Sequence, residues 1–203
     1  MGRPTADSIE IDTPTRVLDA AEDAFALVGL AGAKLADIAA AAGIRRPSLL
    51  YHFSTKEGLY SAVVMRGFQA LGKVMQAAMA SDGDFDHRLR LVLSDFVEFL
   101  DERPHLARIV CRQVVDGSSP GREILLEQVA PLLDEVVRFV EAQGGDRLRP
   151  DVSVRAVTMQ VCASIMLRAA SGELRAALWG TAEHDLASIH ALLFSDTHRV
   201  ASS

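Results

Sequence analysis

Val17, Ala20, Ala21, Ala24, Phe25 and Val28 recur at gaps of three and one near the start of the chain. That spacing puts them on one face of a helix. Thr13-Pro14 reads as a cap followed by proline at the first helical position, and Gly29 and Gly32 close the element. A shorter stripe of Leu35, Ile38, Ala39 and Ala42 ends at Gly43, where a turn can require positive φ. Pro47, Ser48, Leu49, Leu50 and Phe53 continue as a third short helix, its proline confined to the first turn. Ser54 and Glu57 match the S-x-x-E capping box and predict a fourth helix through Leu59, Val63 and Val64 to about Ala80.

Ser81-Asp82-Gly83-Asp84 breaks that helix, and the pattern predicts further helices over 85–101, 104–115, 120–143, 150–171 and 182–196. Pro104, Pro120 and Pro150 stand near predicted starts; Gly144-Gly145, Gly172 and Gly180 stand at breaks. No strand-like alternation of useful length interrupts them. The expected fold is all-α, with about nine helices. An N-terminal three-helix helix-turn-helix domain precedes a C-terminal helical bundle. The expected boundaries are a flexible N-terminus over 1–12, a first domain over 13–57 and a second over 58–203, with the fourth helix linking the two.

Composition narrows the class. Hydrophobic residues make up 49% of the 203 positions, too many for a disordered chain. No apolar run approaches the roughly 18–20 residues of a membrane span, so no membrane partner is expected. The stretch Met1 to Asp12 lacks the apolar centre of a secretory signal. A cytoplasmic protein is expected. Cys111 and Cys162 are far apart and outside any metal-ligand spacing. Asp82, Asp84 and Asp86 alternate like a calcium loop, but His87 and Leu93 stand where that loop needs glycine and glutamate. They read as a solvated loop whose last aspartates cap the next helix. No histidine cluster, nucleophile elbow or phosphate-cradling glycine loop appears. No metal, no cofactor and no enzymatic activity are expected. Trp179 reads as a packing anchor, and Arg147 and Arg149 as solvated turn residues.

The net charge of −6 looks wrong for a nucleic-acid binder, and residues 1–60 hold six Lys/Arg against eight Asp/Glu. Contact with DNA is nevertheless a local matter. Arg45, Arg46 and Lys56 fall in a window with no acid between Asp37 and Glu57, and phosphates respond to charges within about a Debye length, roughly 8–10 Å. The small side chains of Ala39 to Ala42 allow one helix to approach another closely. Leu49 and Phe53 can point inward while Arg45, Arg46, Ser48, Tyr51 and His52 stay free. Arginine forks match the O6 and N7 of guanine, and hydroxyls reach phosphates.

Residues 13–65 resemble the DNA-binding domain of the tetracycline-repressor-like (TetR) transcriptional regulators. The resemblance rests on Ala24-Phe25, Gly29, Asp37-Ile38-Ala39, Ala42-Gly43-Ile44, Pro47-Ser48-Leu49, His52-Phe53 and Lys56-Glu57-x-Leu59. It implies that Arg46 and Pro47 face bases, that Ser48 and His52 lie near the backbone or groove floor, and that Tyr51 lies against the phosphates. Lys56 resembles the family's phosphate-contacting lysine. Departures individualise the chain. Ala33-Lys34 stands where a hydroxyl residue usually opens the second helix, so a cap is lost while Lys34 gains reach to a phosphate. Ala36 replaces a basic residue in many members, Arg45 replaces a frequent capping serine, and Leu50 replaces a frequent tyrosine, with Tyr51 one place onward.

For the second domain the resemblance implies ligand binding and dimerisation. A homodimer is expected through the last two helices, with Val157, Ile165, Leu186, Ile189, His190 and Leu193 at the interface. An unidentified small-molecule effector is expected inside the bundle, near His105, Cys111, Gln113, Met159, Cys162 and Met166. The expected function is a DNA-binding repressor released from a near-palindromic double-stranded operator by a small apolar or amphipathic ligand. The alternative is a ligand-binding or scaffolding helical protein that no longer reads DNA, given the missing caps at Ala33 and Arg45.

Overall fold

The computed structural model describes residues 12–117, 121–180 and 192–194. The expected flexible N-terminus lies outside the described residues except for Asp12. The expected last helix over 182–196 lies outside them except for residues 192–194. The chain divides into two compact units, residues 1–63 and 64–203. The described residues are all-α, with one isolated bridge between Leu148 and Phe194. Among them no helix is long and apolar enough to cross a membrane.

The first unit contains α1 (Thr13–Gly32), α2 (Leu35–Ala41), α3 (Arg46–His52) and the start of α4 (Lys56–Met79). Its apolar stripes converge as their spacing requires. Val17, Phe25, Ile38, Leu49, Leu59 and Val63 are all buried, and full burial of each such side chain stabilises by about 1.5–3 kcal/mol. Phe25 meets Tyr60 edge to face with ring centroids 5.1 Å apart. Helix α1 departs from expectation at both ends. Asp12, not Thr13, is its first flanking residue, and it makes no side-chain cap. Gly29 bends the helix rather than ending it: it takes φ 71°, open to glycine without penalty, and helical turns resume to Gly32.

The second unit holds α5 (Phe85–Glu102), α6 (Pro104–Asp116), α7 (Gly121–Ile124), α8 (Ala130–Gly144), α9 (Val154–Ala170) and α10 (Arg175–Trp179). Helix α9 packs on α5, α6, α8 and α10. Phe85, Leu89, Val137, Val140, Val154, Val157, Leu193 and Phe194 share one core. Asp84 caps α5 as expected, accepting the His87 N–H at 2.8 Å.

Three expectations change here. The helix expected over 120–143 is α7 and α8 joined by a π-helical turn at Leu125–Val129. Pro131 has no N–H for the carbonyl four residues back, which locally removes one helical bond. The helix expected from 150 starts at Val154, because Ser153 caps it by accepting the Ala156 N–H at 3.3 Å. Arg147 is not a solvated turn residue. It pairs with Asp86 at 2.8 Å and lies over the rings of Phe85 and Phe194 at 5.7 and 5.3 Å, where the ring faces attract its charge.

A buried arginine ties three elements together. The Arg168 side chain is 7% exposed on α9, and its Nη2 donates to both oxygens of Asp101 at 2.9 Å. Arg175 of α10 makes a two-pronged pair with the same carboxylate, at 3.1 and 2.9 Å. A buried cation is tolerated only while paired. Asp101→Ala therefore should destabilise the protein by about 3 kcal/mol in urea unfolding. Adding Arg168→Met should recover most of that loss, since it removes the charge left unpaired.

Candidate nucleic-acid interface

The reading head is assembled from two seven-residue helices across a tight turn. Helix α2 ends where Ala42 donates to the Ile38 carbonyl at 2.9 Å and Gly43 to the Ala40 carbonyl at 3.0 Å. Gly43 then takes φ 70°, a left-handed geometry costly for residues with a Cβ. Ile44 donates back to the Ala39 carbonyl at 2.9 Å, which reverses the chain into α3. Ala39 and Ala42 are buried and small, so α3 packs close. Leu49 is fully buried and holds α3 from beneath.

What this leaves outside is polar and basic. Arg45, Arg46, Pro47, Ser48, Tyr51 and His52 are all exposed on or beside α3. Tyr51, at 86% exposure, stands in solvent edge to face with the His52 ring, centroids 5.3 Å apart. Lys34, at the entrance to α2, is exposed as well. Neither Lys34 nor Arg45 caps its helix through its side chain, as the sequence suggested.

Two features of the fourth helix were misread or missed. Its cap is Thr55 rather than Ser54. The Thr55 Oγ1 accepts the Gly58 N–H at 2.9 Å, and the helix begins one residue later than an S-x-x-E box would start it. Lys56 is half-buried, and its ammonium donates to the carbonyls of Ala31 at 3.3 Å and Ala33 at 3.2 Å. Sequence spacing held no signal for that bond, because the partners are 25 and 23 positions away.

Residues 17–63 match the model of the bacterial regulatory proteins of the tetR family, over the segment that builds this head. Over that segment the chain is similar to the tetR family. The HTH-type transcriptional regulator RutR of Escherichia coli is 30% identical over 122 residues, 59% of this chain and 56% of RutR. The HTH-type transcriptional activator FasR of Mycolicibacterium smegmatis is 32% identical over 95 residues, 47% of this chain and 43% of FasR. The chain thus spans about half the length of the curated relatives it matches. These tetR-family relatives are transcriptional regulators rather than enzymes. The fold extends further than the sequence likeness. The ketosteroid transcriptional regulator KstR2 of Mycobacterium tuberculosis superposes with TM-score 0.70 at 20% identity, over 92% of this chain and 97% of that one. The fatty acid degradation regulator FadR of Bacillus halodurans does so with TM-score 0.68 at 16% identity, over 96% and 99%.

The residues expected at an effector site fall on two packed helices. On α6, His105 and Cys111 are half-buried and Gln113 is buried; on α9, Cys162 and Met166 are half-buried. Met159 faces outward, 45% exposed. Val157, Ile165 and Leu193, expected at a dimer interface, are buried within the chain's own second unit. They lie in or beside its core, so as placed they present no surface to a partner. Leu186, Ile189 and His190 lie outside the described residues. Burial pushes the Cys162 thiol up to about 11 and raises that of Cys111.

Thr55→Ala should cost about 1 kcal/mol of stability in thermal melting, and Ser54→Ala close to none. Cys162 should resist alkylation in the folded protein at pH 9, where an unfolded thiol is already ionising. The sign follows from its raised value: the stabilising contribution is complete below the unfolded thiol's pKa near 9 and is lost as pH rises to about 11.

Proposed function

We propose that this protein is a dimeric, sequence-specific DNA-binding regulator of transcription. One observation carries the reading: α3 rests on the buried Leu49 and turns its unburied residues, Arg46, Pro47, Ser48, Tyr51 and His52, to solvent. A short helix held this way and tipped with an arginine fork fits the major groove. Arg46 reads bases with Pro47 beside it. Ser48 and His52 reach the groove floor or backbone, and Tyr51 lies along the phosphates. Lys34 and Arg45 add phosphate contacts on the flanks.

The dimer reading moves to the other face of α9. Ala156, Met159, Gln160, Ala163, Ser164 and Leu167 are exposed there, at gaps of three and one that make one stripe. Small and apolar side chains let a second copy of α9 approach closely. A two-fold pair of heads about 34–36 Å apart, one turn of DNA, expects a near-palindromic operator. The regulator acts in the cytoplasm, as a repressor released when a small apolar or amphipathic ligand enters between α6 and α9. His105, Cys111, Gln113, Cys162 and Met166 are its proposed lining. Support for such a ligand comes from two fold relatives, a ketosteroid regulator and a fatty acid degradation regulator by their descriptions. Release requires a ligand that prefers the non-binding state, with couplings typically of about 1–3 kcal/mol.

Selection of bound duplexes from a random pool tests the reading. An enriched near-palindrome is expected; no enrichment would instead favour a ligand-binding or scaffolding protein. On the selected site, Arg46→Ala should cost about 1–3 kcal/mol and relax preference at one position in each half-site. Light scattering at micromolar concentration should show dimers of the native chain, and Met159→Glu with Leu167→Glu should yield monomers that keep their helical content.

A further inference from the structure

We infer that Arg16 is a phosphate contact of the reading head, contributed by α1 and set beside the turn between α2 and α3; this rests on the DNA-binding reading above. Arg16 stands near the start of α1 and is exposed. Its Nη2 donates to the Thr13 Oγ1 at 3.4 Å, its one side-chain bond among the described residues. Its Nη1 lies 3.9 Å from the point where a side chain at Gly43 would begin. The guanidinium therefore rests beside the turn that leads into α3, close in sequence to Arg45 and Arg46.

Local structure does not account for a cation held there. Asp12 stands four residues before Arg16 and Asp19 three after it, spacings at which a helix brings opposite charges together. Among the described residues neither pairs with Arg16. Its own helix gives no support, since a cation near a helix N-terminus faces the positive end of the dipole, and no acid lies in the first turn of α1. The bond to Thr13 is long and exposed, at the weak end of hydrogen-bond geometry.

What the position offers is an approach to DNA. A helix-turn-helix head lays the first residues of its recognition helix against base edges, which brings the preceding turn up to the sugar-phosphate backbone. Gly43 lies in that turn. Arg16 thus stands on the same rim as Arg45 with most of its N–H fork open, and such a fork suits the oxygens of a phosphate. The contact differs in kind from that of Arg46. A phosphate contact positions the protein and carries no sequence information, so it strengthens binding to every duplex rather than choosing among them.

Arg16→Gln and Arg16→Lys, each in the full chain, test this on the selected duplex. Arg16→Gln should flatten the dependence of log affinity on log salt by about one unit, as loss of one phosphate contact does. It should select the same consensus as the native chain, whereas Arg46→Ala relaxes it. Arg16→Lys should keep the native slope, because it keeps the charge. Thermal melting of Arg16→Gln should match the native chain, since an exposed side chain with one long bond contributes little to stability. An unaltered slope in Arg16→Gln overturns the inference, whether or not affinity falls, and so does a changed consensus or a flattened slope in Arg16→Lys. Should the native chain select no duplex, the DNA-binding reading fails and this inference with it; a native chain that selects a duplex while Arg16→Gln keeps its slope defeats this inference alone.

Discussion

A seven-residue helix cannot sustain itself in water, because nucleating its first turn costs more than so few bonds return. The rest of the first unit answers to that constraint. Helix α3 exists because Leu49 is fully buried beneath it and because Ala39 and Ala42 leave room for it. Its direction is fixed by Gly43, whose φ of 70° lets the chain reverse within the turn. Everything the helix shows to solvent is therefore free of structural duty. Arg46, Ser48, Tyr51 and His52 can be chosen for what they contact, which is the condition for a head that differs in specificity on an unchanged scaffold.

The scaffold half of that arrangement was legible in the sequence, since it is written in local terms. The gaps among Leu35, Ile38, Ala39 and Ala42, the glycine after them and the apolar Leu49 each state their own burial. What was not legible depended on distant neighbours or on one-residue choices. Ser54 and Thr55 are both competent caps, and only the backbone decides that Thr55 reaches the Gly58 N–H. Arg147 looks solvated beside two glycines until Phe85, Asp86 and Phe194 are brought around it by folding. The π-helical turn before Pro131 likewise reflects a lost bond absorbed within a helix rather than a break in it.

Helix α9 shows the same limit from another side. It is apolar around most of its surface, and periodicity alone cannot say which face meets which neighbour. Val157 and Ile165 are expected at contact with a second copy because the resemblance places the last two helices there. Folding buries those two instead and leaves Met159, Ala163 and Leu167 outside. Size does not decide the matter, since Met159 and Leu167 match Ile165 in bulk and exceed Val157 and are nevertheless exposed.

Arg168 adds a directional constraint to that helix. Hydrophobic packing by itself tolerates a helix rotated by a fraction of a turn, since dispersion contacts have no preferred angle. A guanidinium buried on α9 and bonded to both oxygens of Asp101 does not tolerate it. Asp101 is held in turn by Arg175, which closes the link from α5 through α9 to α10. Rotation that exposed Val157 would pull Arg168 off its carboxylate and leave a buried charge unpaired, a loss of about 3–5 kcal/mol. The ion pair thus selects which face of an almost uniformly apolar helix is core and which is open, a choice the apolar residues alone do not make.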